Sequence, residues 1–193
     1  MTAPRTAVAL LALLATVAMP VSSQDLSVYR TAPSAAQLPL TPALRATSNE
    51  ALQASIYEFV ELKHATHQAH WDVVGQNFYS LHELLGDIYA QIDGYIDLAA
   101  ERKRALGVAA DARPGAVAQN AGLPEFPAGL LNDYDVPRIL SERFYTVTQR
   151  VQQRIQDTSD DMVTQDLLIG INHDLEKQLW MLRALQRGGD GTR

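Results

Sequence analysis

The chain has 193 residues, 47% of them hydrophobic, and carries 22 Asp and Glu against 16 Lys and Arg for a formal net charge of −6. That balance supports one globular domain with a core of its own and excludes disordered and collagen-like chains. Cysteine is absent, which excludes disulfide frameworks, thiolate metal sites and thiol catalysis.

Residues 1–23 read as a secretory signal peptide: Arg5 supplies a basic start, an apolar run extends from Ala7 to Met19, and the small residues Val21, Ser22 and Ser23 follow. The run is shorter than the roughly 20 residues that span a bilayer, so cleavage near Ser23 is expected. The mature protein is then exported, periplasmic or extracellular, without a membrane span. Residues 24–46 hold Pro33, Pro39 and Pro42 with little charge and no periodicity, and read as an extended tail.

Residues 47–187 form the expected domain. Thr47-Ser48-Asn49-Glu50 fits a capping box, and Leu52, Ile56, Phe59 and Leu62 recur at helical spacing until Gly75 offers a stop. A second helix runs from about Asn77 or Ser80 to Gly107 on a stripe that includes Leu81, Leu85, Ile88 and Ile92. Residues 107–135 contain Pro114, Pro124 and Pro127 and are too long for a helix–helix turn. They are expected to cross the length of the bundle, with a short helical piece near Gly115–Asn120. A third helix starts at Asp135, whose carboxylate is expected to cap it, with Pro137 tolerated in the first turn. A fourth runs from about Ser159 to Arg187 on a stripe from Val163 to Leu185, and residues 188–193 read as a flexible tail. Two helical hairpins joined by one long crossover make an all-α four-helix bundle, distinct from bundles with three short loops. No strand pattern, Gly-rich phosphate loop or nucleophile elbow competes with it.

Four of the five histidines, His64, His67, His70 and His82, fall within 19 residues, and Asp97 and Glu101 lie one turn apart on the second helix. Imidazole with carboxylate suits ferrous iron, whereas an all-oxygen set suits magnesium or calcium. His82 and Asp97 are nevertheless separated by a rise of about 22 Å along a helix, so one ion cannot bridge them within a chain. His70 lies across the short turn from His82. Each chain thus offers two half-sites, and antiparallel packing of this helix against its copy would join histidines of one subunit to acids of the other, twice. Glu61 and His64 match a Glu-x-x-His motif that lacks its second copy; with His67 they read as surface decoration. His173 reads as structural, Trp180 as packing, and Trp71 either as a packing residue or as a trap for radical oxidising equivalents.

The segment AHWDVVGQNFYSLHELLGDIYAQIDGYIDLAAERKRALG, Ala69 to Gly107, resembles the signature of the Dps (mini-ferritin) family: His70-Trp71, a second histidine twelve residues later at His82, then Asp97 and Glu101-Arg102. DLEKQLWMLRA, Asp174 to Ala184, is similar to the family's last helix, so the resemblance covers roughly residues 45–187. It implies a ferritin-like bundle, a homo-oligomeric shell of dodecamer type built from dimers, and ferroxidase centres at dimer interfaces. There Fe2+ becomes Fe3+, usually with hydrogen peroxide as oxidant. His70, His82, Asp97 and Glu101 would be the catalytic and metal-binding residues of a di-iron or mono-iron centre. One position departs from the pattern: the family's acidic residue four places after the second histidine is Gly86 here, and Asp87 is displaced by about 100° around the helix. This weakens the second iron position, and Asp87 either substitutes for the missing acid through a water or simply faces solvent. Among Asp160, Asp161 and Asp166 at the start of the fourth helix, Asp161 and Asp166 are the better candidates for the family's acidic pore. The alternative function is a non-enzymatic metal-sequestering or structural shell with an impaired centre. DNA is not an expected partner, because the mature tail holds only Arg30 and Arg45 as basic residues and Arg183, Arg187 and Arg193 are sparse.

Overall fold

The computed structural model describes residues 38–186, so the leader, residues 24–37 of the tail and residues 188–193 lie outside the described part. Five helices follow in order: α1 Pro42–Asp72, α2 Phe78–Ala105, α3 Pro114–Asn120, α4 Asp135–Asp157 and α5 Met162–Gln186. Helices α1 and α2 pack as one hairpin and α4 and α5 as another, with α1 also against α4 and α2 against α5. The crossover between the hairpins carries α3, as the length of the Pro-rich segment predicts. No described helix is long and apolar enough to cross a membrane.

Helix α1 begins earlier than its capping-box pattern suggests. Thr41 is the N-cap, its hydroxyl accepting from the Leu44 amide at 3.2 Å, and Pro42 takes the first turn. Residues 42–46 are therefore helical. The Thr47 hydroxyl and the Asn49 amide turn back to the carbonyls of Ala43 and Arg45, the mid-helix alternative open to such side chains. At the other end the turn to α2 passes through Gly75 at φ +139, where a Cβ would lie 2.3 Å from the Asp133 carboxyl carbon. Asp133 accepts from the Asn77 amide at 2.7 Å and from its side chain at 2.9 Å. The crossover is pinned to the α1–α2 turn in this way, and Val73–Val74 (β1) pairs in parallel with Leu131–Asn132 (β2) beside it. Two-residue strands leave no periodicity to read, and none is expected from the sequence. Helix α4 starts at Asp135 as anticipated, but the cap is Asn132, whose Oδ1 accepts from the amides of Tyr134 and Asp135 at 3.0 and 2.9 Å.

The main core joins the two hairpins through Phe59, Leu85, Ile88, Phe144, Val151 and Leu175. A second apolar cluster sets Leu52 and Ile56 of α1 and Ala99 of α2 against Val117 of α3, which fixes the crossover on the bundle. On α5 the expected apolar stripe is too wide: Val163 and Leu185 lie at the surface. Between α1 and α4 the seam is ionic. Glu58, 3% exposed, accepts from Arg154 at 2.5 and 2.9 Å and from Arg150 at 3.0 Å.

Asp161 is a fastening point and does not line a pore. Its carboxylate is 3% exposed, and it accepts from the Ser48 hydroxyl of α1 at 2.7 Å, from Arg102 of α2 at 2.9 and 3.1 Å, and from the Thr164 hydroxyl at 2.5 Å. The Thr164 amide adds a bond at 3.3 Å, so the same residue caps α5. Asp166 is exposed. Burial alone would raise the Asp161 pKa, but the bonds from Thr164, Ser48 and Arg102 outweigh it and hold the carboxyl below its ordinary 3.8. A lowered folded-state pKa means that the unfolded chain binds more protons, so this stabilisation is complete above about pH 4 and is lost as pH falls through the folded value. Asp161→Asn should cost about 3 kcal/mol at neutral pH, as expected for a broken buried pair. The difference from wild type, measured by chemical denaturation across pH, should shrink below about pH 4.

Candidate metal centre

His70 sits in the last turn of α1 and His82 in the second turn of α2, and the tight Gly75 turn brings them face to face. Their rings stack at 3.7 Å between centroids with 20° between planes. His70 Nδ1 lies 2.7 Å from the His82 carbonyl, and His82 Nδ1 lies 2.9 Å from the His70 carbonyl. A backbone carbonyl only accepts, so each Nδ1 carries the proton and each Nε2 keeps its lone pair free for a metal ion. Phe78 packs 5.2 Å from the His82 ring and Tyr89 lies edge-on to His70 at 5.4 Å.

Gly86 lies against this pair. A Cβ there would meet His70 Cε1 at 3.5 Å and Nδ1 at 3.6 Å, ordinary contact distances, so an acidic side chain at position 86 would start beside the imidazole. Asp87 is exposed, one position farther round the helix.

The acids stand apart from the histidines. Asp97 and Glu101 are exposed on α2, rises of about 22 and 28 Å beyond His82, and neither forms an ion pair among the described residues. Glu101 forms no ion pair with its basic neighbours Lys103 or Arg104 among the described residues: Lys103 turns inward, and the nearby Arg102 is committed to Asp161. Among the described residues no three His, Asp or Glu side chains gather around a common point, so the ligand set divides into the two groups that helix geometry requires.

The remaining residues sort differently from the sequence reading. His67 is not surface decoration. It stacks on Tyr89 at 4.0 Å and lies 4.0 Å from Trp71, and burial, followed by the charges of His70, Lys63 and His64, lowers its pKa. The signal was present in the four-residue spacing of His67 and Trp71, which places both rings on one face. Glu61 holds the buried Arg143 at 2.6 Å, which takes it out of any Glu-x-x-His chemistry, and His64 is exposed. His173 is exposed beside Asp174 at 3.3 Å. Trp180, expected to pack, is 65% exposed, and Trp71 is exposed as well.

Residues 49–189 match the ferritin family's ferritin-like domain. The chain is 39% identical over 138 residues to DNA protection during starvation protein 2 of Deinococcus radiodurans, an alignment covering 71% of this chain and 57% of that relative. With the DNA protection during starvation protein of Agrobacterium fabrum it shares 33% identity, over 69% of this chain and 83% of the relative. Among solved structures, the Dps from Microbacterium arborescens in the high iron form superposes with a TM-score of 0.72 at 30% identity, covering 76% of this chain and 97% of that one. With the bundle, the crossover and the stacked histidine pair in place, these similarities mean that the chain belongs to the Dps branch of the ferritin-like family.

Proposed function

We propose that the protein takes up ferrous iron as substrate, oxidises it at centres completed between two copies of the chain, and stores the ferric product inside a homo-oligomeric shell. One observation carries the reading: α2 carries His82, with His70 of α1 beside it, and the Asp97/Glu101 pair as two incomplete ligand groups, and the midpoint of positions 82 and 97 coincides with a bare stretch of surface. Positions 82 and 97 are symmetric about a point between Tyr89 and Ala90. Gly86, Ala90 and Gly94 recur every four residues around that point; Ala90 and Gly94 are exposed, and a Cβ on Gly94 would meet nothing within 4 Å. Small residues at this spacing let two helices approach closely, and a two-fold axis there sets His82 of one copy opposite Asp97 of the other.

In that arrangement His70 Nε2 with the partner copy's equivalents of Asp97 and Glu101 makes the stronger iron position. His82, without a carboxylate at Gly86, makes a weaker one. Hydrogen peroxide is the proposed oxidant. Each molecule accepts two electrons, one from each of two ferrous ions, its O–O bond breaks, and its oxygens leave as water or enter the ferric oxyhydroxide. The locked imidazoles supply nitrogen ligands, and the acids offset the charge gained on oxidation. Protection of the cell then follows from removing iron and peroxide together, which fits export better than coating of DNA by a chain with net charge −6. Gly86 favours a second reading, a shell that binds iron without rapid oxidation.

Two experiments test these statements. Co-assembly of a His70→Ala/His82→Ala chain with an Asp97→Asn/Glu101→Gln chain should restore about one quarter of wild-type peroxide-driven oxidation, since half of randomly formed dimers are mixed and each keeps one intact centre. No activity in the mixture, with each parent inactive and assembled, would rule out shared centres. Gly86→Asp should raise the number of ferrous ions bound per centre in anaerobic titration and speed the oxidation that follows; an unchanged stoichiometry would mean that the glycine is not what weakens the second position.

A further inference from the structure

A groove of about 530 Å3 opens between the first half of α1, the end of α2 and the end of α3, far from the histidines. Ala46, Ala54, Tyr57 and Val108 give it apolar walls, and Asn49 and Lys103 line it. Lys103 is anomalous. It is 5% exposed, yet no carboxylate lies within ion-pair distance of it among the described residues. Among the described residues its ammonium makes one hydrogen bond, a long one to the Asn49 carbonyl at 3.4 Å, and it lines the groove. The Asn49 amide oxygen is also buried without a partner. Buried lysines are ordinarily paired, because an uncompensated charge costs several kcal/mol to remove from water. Asp161 and Glu58, the nearby buried acids, are already committed to arginines.

We propose that this groove binds a small monocarboxylate with a compact apolar body, its carboxylate on Lys103 and its hydrocarbon against Ala46, Ala54 and Tyr57. The chemistry of each part follows from the lining. The unneutralised ammonium selects an anionic head, and the walls select an apolar remainder. Glu50 also lines the groove and is exposed, so a second negative charge on the ligand is disfavoured. The site is independent of iron chemistry.

Hexanoate is a suitable probe, titrated calorimetrically into the assembled protein, with hexanol and hexanedioate as controls. Saturable binding of one hexanoate per chain is expected, with hexanol and hexanedioate each weaker by at least about tenfold. Lys103→Met keeps the length and removes the charge. It should abolish the preference for hexanoate over hexanol while the melting temperature stays level or rises. Ala54→Trp fills the groove without touching the amine and should remove hexanoate binding independently, which covers the case of a Lys103→Met chain that fails to fold. Absence of saturable hexanoate binding to wild type, equal affinity for hexanol, or undiminished binding after either substitution would overturn the proposal.

Discussion

An α-helix cannot be shortened, and the rise of about 22 Å between positions 82 and 97 governs how this chain could use its candidate metal-binding side chains. Each group alone is incomplete: two imidazoles without an acid, two acids without an imidazole. What the fold contributes is rigidity at both ends of α2. At the start, the reciprocal bonds between His70 and His82 hold the rings to the backbone of two helices at once. Near the end, Arg102, adjacent to Glu101, is held by Asp161 and Thr164. Neither fastening leaves the helix free to turn about its axis, so the face that carries both groups is fixed relative to the bundle.

Burial of charge elsewhere explains why that face lies on the outside. The polar positions inside the bundle are spent on structure: Glu58 pairs with both Arg150 and Arg154, and Glu61 pairs with Arg143. A metal between the helices of one chain would need those carboxylates, and removing Glu61 would strand the buried Arg143 guanidinium at a cost of several kcal/mol. The candidate metal ligands thus lie along the surface of α2, where each group is incomplete within one chain. The proposed need for a second copy follows from how the first one is held together.

The large elements were legible because they are long and periodic. Four helices, a crossover and a short helix within it follow from apolar spacing and proline positions, and the two ligand groups follow from residue type and spacing on one helix. Individual side-chain partners were not legible. Thr47, Ser48 and Asn49 have the composition of a cap, but a Thr-Pro pair six residues earlier supplies a better one, and tertiary bonds then claim Ser48. Asp161 reads like Asp160 or Asp166 by type and position; only the approach of Arg102 and Ser48 from other helices separates a buried fastening from a surface acid. His67 was undervalued because its partner Tyr89 lies on another helix. Exposed aromatic residues such as Trp180 were read as packing because hydrophobicity does not say whether the partner belongs to the same chain.

Gly86 sits where two requirements meet. It lies against the His70 ring, where an acidic side chain would complete an iron position, and it also begins the bare stripe that continues through Ala90 and Gly94. A carboxylate there adds a ligand and adds bulk to the surface on which the proposed dimer closes. In the proposed dimer, glycine would give up the ligand and keep the close approach of backbones, bringing the partner's acids nearer to His70. The loss would fall unequally on the two positions, since His70 would face two acids across the interface while His82 would have none of its own. A centre built this way would hold its first ferrous ion firmly and its second loosely, and the loosely held ion would be the one free to leave as ferric product toward the mineral.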